Sequence, residues 1–234
     1  MRVNHTNECM KVLETLLEDA EFYMDLIKPT EGEMKICVEL TDTGETATLI
    51  LGDKSEVSEG CVEDADGKVS MKNQVLTNIL MQKADAFALA ARARMDEKRP
   101  VEFEIFKKEH TKEISEVGKA LLTYFFAPGR IKIKQLKPEL AGQAHGAHPI
   151  PLVYWNGLRS SWILVKKGEI LNKEGEKDPC PQLFIVLEGR GKGIVGDTEF
   201  EVEPKTVVYI PKNTVHQLIA EEDISVIWLA WQAW

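Results

Sequence analysis

No run of apolar residues in this chain approaches the roughly eighteen that a membrane-crossing helix needs. The opening stretch, MRVNHTNECMKVLETLLED, has acids and amides where a secretory leader would carry its apolar centre. A soluble, unexported, cytoplasmic protein is therefore expected. Cysteine is scarce: Cys9, Cys37, Cys61 and Cys180 lie far apart with no C-x-x-C pair, a spacing that fits neither a zinc cluster nor a dense disulfide framework. They are expected to be reduced, mostly buried thiols. Positive charge is also short, with 29 Lys and Arg against 38 Asp and Glu. Residues 1–128 hold 16 basic and 25 acidic residues, whereas residues 129–234 hold 13 of each, so the whole acidic excess lies in the first half. Such a surface repels phosphate backbones, and no stripe of Lys and Arg interleaved with aromatics offsets it, so no nucleic-acid partner is expected.

Several catalytic signatures are missing too. No G-x-S-x-G occurs, which removes the usual mark of a serine nucleophile. The glycines and bases of Gly189-Arg-Gly-Lys-Gly193 lack the strand-to-helix setting of a phosphate loop and read as a β-turn. Asp64-Ala-Asp-Gly67 continues into Lys68, Val69 and Ser70, which cannot complete a calcium loop.

What is present divides into two compositions. All five tryptophans lie in the second half, and Pro128-Gly129 ends a helical pattern, so two domains are expected, residues 1–128 and 129–234. From Thr6, read as an N-cap, the apolar residues Met10, Leu13, Leu16, Leu17, Ala20 and Met24 recur at helical spacing as far as Pro29. MKICVELT (34–41) and ETATLILG (45–52) alternate as strands about Asp42-Thr43-Gly44, a hairpin link. A strand at 68–71, helices over about 73–81 and 84–95, a strand at 101–106 and a helix carrying Ile114, Val117, Leu121 and Phe125 complete an α+β pattern. This order resembles the sterol carrier protein fold over residues 5–127. The approach to the late strand, Asp96-Glu97-Lys98-Arg99-Pro100, lacks the glycine usual in that family.

The second half reads as all β. Strand-length apolar runs such as WILV, QLFIVLEG, GKGIVGD, EFEVEP, VVYIP and ISVIWLAW follow one another with turn signals between them. IPLVYWNGLRSSW is rich in aromatics, and its Asn156-Gly157 reads as a hairpin turn. The strand could cap a barrel mouth or pack between domains, and the sequence leaves both open. The last strand, 224–231, is apolar on both faces and would put aromatics in water unless a partner subunit or the other domain covers it, and a homodimer through this half is expected.

Pro181-Gln-Leu-Phe-Ile-Val-Leu-Glu-Gly189 with Gly191 is similar to the first motif of the cupin family, and Val207-Val-Tyr-Ile-Pro211-Lys-Asn213-Thr-Val-His216 to the second. The resemblance implies a jelly-roll β-barrel. It also implies a divalent metal held by two histidines and a glutamate from the first motif and a histidine from the second. Only His216 is in place. The glutamate position falls on Gln182, and the paired-histidine positions on Glu176 and Asp178, or on Gly175 and Lys177 if the spacing differs by one. His145 and His148 could add ligands, but Gly146 and Pro149 make their segment a loop without fixed geometry.

The reading that follows is a non-enzymatic protein binding a small, partly apolar molecule in a barrel lined by Gln182, Phe184, Val186, Tyr209 and His216, with His216 beside Gln182. A second apolar cavity could lie in the first domain. No cofactor is expected, and a divalent metal stays open as an alternative, with His216 and partners among Glu176, Asp178, Gln182, His145 and His148. That alternative would make the protein a metal-dependent oxygenase, isomerase or decarboxylase. A regulatory ligand-sensing module is the third reading.

Overall fold

A computed structural model describes residues 7–94, 96–155 and 157–232. The expected cap, Thr6, lies outside them, and Asn7 caps the first helix instead, its side chain accepting the Met10 N–H at 3.1 Å. Helix α1 (Glu8–Asp19) buries Cys9, Leu13 and Leu16. The helix expected to run on to Pro29 is interrupted by a tight turn at Glu21–Tyr23, where the Tyr23 ring stacks on Tyr124 with centroids 5.5 Å apart, before α2 (Met24–Ile27).

Five strands form a mixed sheet: β1 (Met34–Leu40), β2 (Thr46–Leu51), β3 (Glu56–Glu59), β4 (Gly67–Met71) and β5 (Val101–Ile105), in the order β3-β2-β1-β4-β5. β1 and β4 run parallel and the other neighbours antiparallel. Gly44 takes φ +76° in the β1–β2 turn, a conformation that suits glycine. β3 carries no apolar alternation, so nothing in its sequence announces it. Helix α3 (Asn73–Leu80) matches its expected span, whereas the alanine-rich helix shortens to α4 (Ala86–Ala90). Helix α5 (Thr111–Ala120) continues into a wider turn over Leu121–Phe125 that buries Leu121 and Phe125. Asp66 accepts the Lys35 N–H at 2.6 Å and pairs with Lys107 Nζ at 2.7 Å, so the acid that made no calcium loop ties β1 and the end of β5 to the start of β4.

The expectation of four reduced thiols is corrected at two of them: Cys37 and Cys61 are joined as a disulfide, with Cα atoms 5.3 Å apart. Twenty-four residues of sequence separate them, so spacing alone could not pair them. Thr48, opposite Cys37 in the β1–β2 ladder, donates to the Gly60 carbonyl and accepts the Val62 N–H, which folds the segment around Cys61 back onto the sheet.

The second unit is all β apart from α4 and a short turn at 138–140. Strands β6 (His148–Trp155), β7 (Leu158–Val165), β8 (Ile170–Leu171), β9 (Gln182–Glu188), β10 (Gly191–Val195), β11 (Thr198–Val202), β12 (Val207–Ile210), β13 (His216–Ala220) and β14 (Ile224–Trp231) make two sheets. Their orders are β12-β9-β14-β7-β6 and β11-β10-β13-β8. Ile163, Val165, Phe184, Val186 and Val226 of one sheet meet Leu171, Val202, Leu218 and Ala220 of the other in a single core. At the β6–β7 hairpin turn Gly157 takes φ +80°, while Asn156 lies outside the described residues. The chain separates into two compact units, residues 1–86 with 98–133, and residues 87–97 with 134–234. No helix among the described residues is long and apolar enough to cross a membrane.

Candidate functional site

The register of the larger sheet determines which side chains share the interior. Residues directly opposite one another in neighbouring strands point to the same face. Ala230 lies between Arg159 on β7 and Gln182 on β9, and Tyr154 on β6 and Ile210 on β12 extend that row. The next row is Ser161, Trp228, Phe184 and Val208, and the one below it Ile163, Val226 and Val186. The interior therefore grades from polar through aromatic to aliphatic along the strands. Tyr154 joins the inward row only because the β6–β7 register shifts between Pro151 and Val153, which reverses the facing of the residues beyond it.

Trp228 connects the polar row. Its indole Nε1–H donates to Gln182 Oε1 at 2.7 Å, and the Arg159 guanidinium carbon lies 5.4 Å from its ring centroid. Tyr154 packs at 6.3 Å from the same ring and is itself covered by Phe87 at 5.0 Å. Arg159 Nη2 donates to both oxygens of Asp178 at 2.7 Å, and Asp178 Oδ1 also accepts the Cys180 N–H. Asn172 fixes the loop that carries Asp178. Its Nδ2 donates to the carbonyls of Glu176 and His216, and its Oδ1 accepts the Glu176 N–H.

Of the five residues expected to line the cavity, Gln182, Phe184, Val186 and His216 are buried on inward faces. Tyr209 is not: it is 71% exposed, because Val208 and Ile210 take the inward positions of β12. His216, expected beside Gln182, makes no hydrogen bond to it. Its ring lies 5.9 Å from Phe184 with Nδ1 on the Thr214 carbonyl, and the Trp228 indole is the partner of Gln182. Burial lowers the His216 pKa below its ordinary 6.5, outweighing the Thr214 carbonyl and the Asp178 charge. Gln182 is 2% exposed, and its Nε2 has no hydrogen-bond partner. Sequence reasoning missed Arg159, Tyr154 and Trp228. Arg159 and Tyr154 lie outside both motifs, and Trp228 sits on a strand whose two faces are equally apolar.

Residues 161–231 match the family model described as Cupin domain, which identifies the β-barrel of the C-terminal half as a cupin domain. Among solved structures, a protein from Photorhabdus luminescens is 18% identical, with 43% of this chain and 87% of that chain covered and a TM-score of 0.38. A Cupin 2 conserved barrel domain protein from Salinispora arenicola is 19% identical over 44% of this chain and 90% of that one, with a TM-score of 0.39. A cupin-2 domain from Rhodospirillum rubrum is 21% identical over 44% and 76%, with a TM-score of 0.36. No curated protein matches the chain.

The cupin fold often holds a metal, which requires several free donor atoms converging on one point. Asp178 is engaged by Arg159, Glu176 by His145 Nδ1 at 2.8 Å, and Gln182 Oε1 by Trp228. His148 turns to Glu169 at 3.0 Å. The second nitrogen of His216 has no hydrogen-bond partner among the described residues. Among the described residues no three His, Cys, Asp or Glu side chains converge. A transition metal prefers several imidazole or thiolate donors, and a guanidinium already sits against the one carboxylate nearest the polar row. The residues present do not fit a metal.

The burial of His216 generates a pH prediction. Because its folded pKa lies below 6.5, the unfolded chain takes up this proton first, and stability falls as pH drops below about 6.5 until the folded pKa is passed. Replacing His216 with Gln removes this contribution. Urea midpoints measured at pH 7.5 and 5.5 should therefore differ less for His216→Gln than for the parent, and an equal or larger difference would place His216 outside the buried site.

Proposed function

We propose that the cupin barrel binds a small, partly apolar molecule and does so without a catalytic metal. The observation that carries this reading is the buried, unpartnered Nε2 of Gln182. A buried donor without an acceptor costs about 1–3 kcal/mol, and here it lies in the row next to Trp228 and Phe184. A ligand acceptor reaching that row would relieve that cost. His216, neutral at pH 7, adds a polar wall opposite Phe184. For the N-terminal unit the sterol carrier-like reading keeps only the order of elements in its support. A groove there is lined by Pro29, Thr30, Gly32 and Gly52 as well as by Lys28, Glu31, Glu33, Asp53 and Lys54, and the proposal is confined to the barrel.

The test is a thermal-shift screen of small organic molecules on the full chain purified without added metal. Compounds that raise the melting temperature saturably should bind about 1–3 kcal/mol more weakly to His216→Ala, which loses a hydrogen-bonding wall. Stoichiometric zinc, nickel or iron bound through His216 would overturn the reading in favour of a metal-dependent enzyme.

A homodimer belongs to the same proposal. On β14, Val226, Trp228 and Ala230 face the core, and the opposite face joins Leu183, Ile185 and Leu187 of β9 to Val207 and Tyr209 of β12. Leu187, Val207 and Tyr209 are exposed by 41%, 45% and 71%, which leaves an apolar surface on the outer side of the sheet. Light scattering at micromolar concentration should report a dimer that Leu187→Asp shifts toward monomer. A monomeric parent would remove this part of the account.

A further inference from the structure

We propose that the Cys37–Cys61 disulfide is a thiol-exchange site that opens from Cys61, and that reducing it loosens the crossover between β3 and β4 from the sheet face that carries Cys37 and Thr48. The proposal concerns the N-terminal unit and is independent of the small-molecule reading of the barrel.

The two sulfurs differ in access. Cys37 is 1% exposed, on the central strand β1 between β2 and β4, whereas Cys61 lies in the crossover and is exposed. A thiolate displaces one sulfur of a disulfide along the line of the S–S bond and forms a mixed disulfide. Attack on Cys61 comes from the solvent side of the crossover, whereas attack on Cys37 would have to come through the sheet. The incoming thiolate therefore bonds to Cys61 Sγ, the Cys61–Cys37 bond breaks, and its electron pair leaves on Cys37 Sγ, which takes a proton from water. A second thiolate of the reductant, a small thiol or dithiol, attacks the reductant's own sulfur in the mixed disulfide and releases Cys61. Two electrons and two protons pass to the protein, and one disulfide forms in the reductant. Lys35 and Lys68 share the face of Cys37, but each is already paired, with Asp64 and with Glu39, so the preference for Cys61 rests on access and not on charge. Cys9 does not compete, because it is fully buried and burial pushes its thiol up to about 11, which leaves little thiolate at neutral pH.

The crossover, residues 60–66, lies over a polar row. Ser58, Thr48 and Cys37 stand opposite one another on β3, β2 and β1, on the face opposite Ile36 and Val38. Thr48 is fully buried and bonded to the Gly60 carbonyl at 2.7 Å and the Val62 N–H at 3.2 Å. Ser58 Oγ beside it is buried with no hydrogen-bond partner, a cost that hydration would relieve. The crossover is anchored at both ends: the Gly60 N–H donates to the Thr46 carbonyl, the Asp66 N–H to the Lys35 carbonyl, and Asp66 accepts the Lys35 N–H. Between those ends its covalent and polar ties to the sheet are the disulfide, the Thr48 hydroxyl and the Lys35–Asp64 pair. Opening the disulfide removes the covalent tie and leaves every strand ladder intact. The reduced chain therefore stays folded with a looser crossover.

The test uses the full chain purified without added reductant, equilibrated with graded ratios of reduced to oxidised glutathione, quenched with acid and mapped by mass spectrometry of its peptides. The expected products are the Cys37–Cys61 link at oxidising ratios and glutathione on Cys61 at intermediate ones. Cys37→Ser should take up glutathione on Cys61 at least about tenfold faster than Cys61→Ser takes it up on Cys37, since the buried sulfur is reached only through opening of the sheet. Should Cys37→Ser fail to fold, the position of glutathione in the partly reduced parent makes the same distinction. Glutamyl endopeptidase should cut after Glu63, inside the crossover, about tenfold faster in the reduced parent than in the oxidised one, while the thermal melt of the reduced parent stays cooperative. Cys37 and Cys61 unlinked in the parent, glutathione on Cys37 as readily as on Cys61, or cleavage after Glu63 unchanged by reduction would each overturn the proposal. A reduced parent without a cooperative melt would make the disulfide a staple of the whole fold and overturn it as well.

Discussion

The candidate site depends on where the Trp228 indole points. Its N–H occupies the single acceptor of Gln182, so the amide is oriented with its donor end free, and its ring lies against the guanidinium of Arg159. An aromatic N–H that is buried must find an acceptor; of the direct cross-strand neighbours of Trp228, Phe184 has none and the Ser161 hydroxyl lies 3.5 Å from that of Tyr154. The indole therefore reaches one row along to Gln182. That reach makes the polar row a unit: it sets the rotamer of Gln182, gives Arg159 a flat surface to rest on, and leaves Arg159 directed at Asp178.

The loss of the metal motif has a physical counterpart in the same row. The cupin resemblance assigns the first-motif histidine positions to Glu176 and Asp178, or to Gly175 and Lys177 if the spacing differs by one, and the two carboxylates are matched within the protein by His145 and Arg159. Two acids near a buried histidine would repel one another and draw in a cation if left alone. Here the cation against Asp178 is a side chain. A guanidinium offers donors where a metal would demand them, so the exchange reverses the polarity of the site from one that collects acceptors to one that presents donors.

Much of this was legible in the sequence and some was not. The two motifs located β9 and β12 with the approach to β13, and alternation along β9 placed Gln182, Phe184 and Val186 together, because period two is independent of neighbouring strands. Alternation within β12 could not say which face was inward, and Tyr209 was assigned to the wrong one; its pairing with Leu183 puts it outside. Trp228 was hidden for the same reason, in a strand apolar on both faces whose facing is settled only by register with β9. Tyr154 depends on a register shift in β6 that its sequence does not mark. In the N-terminal half the helices and the β1–β2 hairpin follow from periodicity and turn residues. The strand β3 and the Cys37–Cys61 link do not, since both arise from long-range pairing.

The central proposal is that this cupin barrel binds a small molecule and holds no metal. Cobalt(II) titration of the full chain, followed by visible absorption, tests it most directly, because cobalt bound to mixed imidazole and carboxylate donors gives d–d bands that report its coordination. The account predicts no saturable band at one equivalent and no difference between the parent and His216→Ala. A stoichiometric band that disappears in His216→Ala would contradict it and return the barrel to the metal-dependent class.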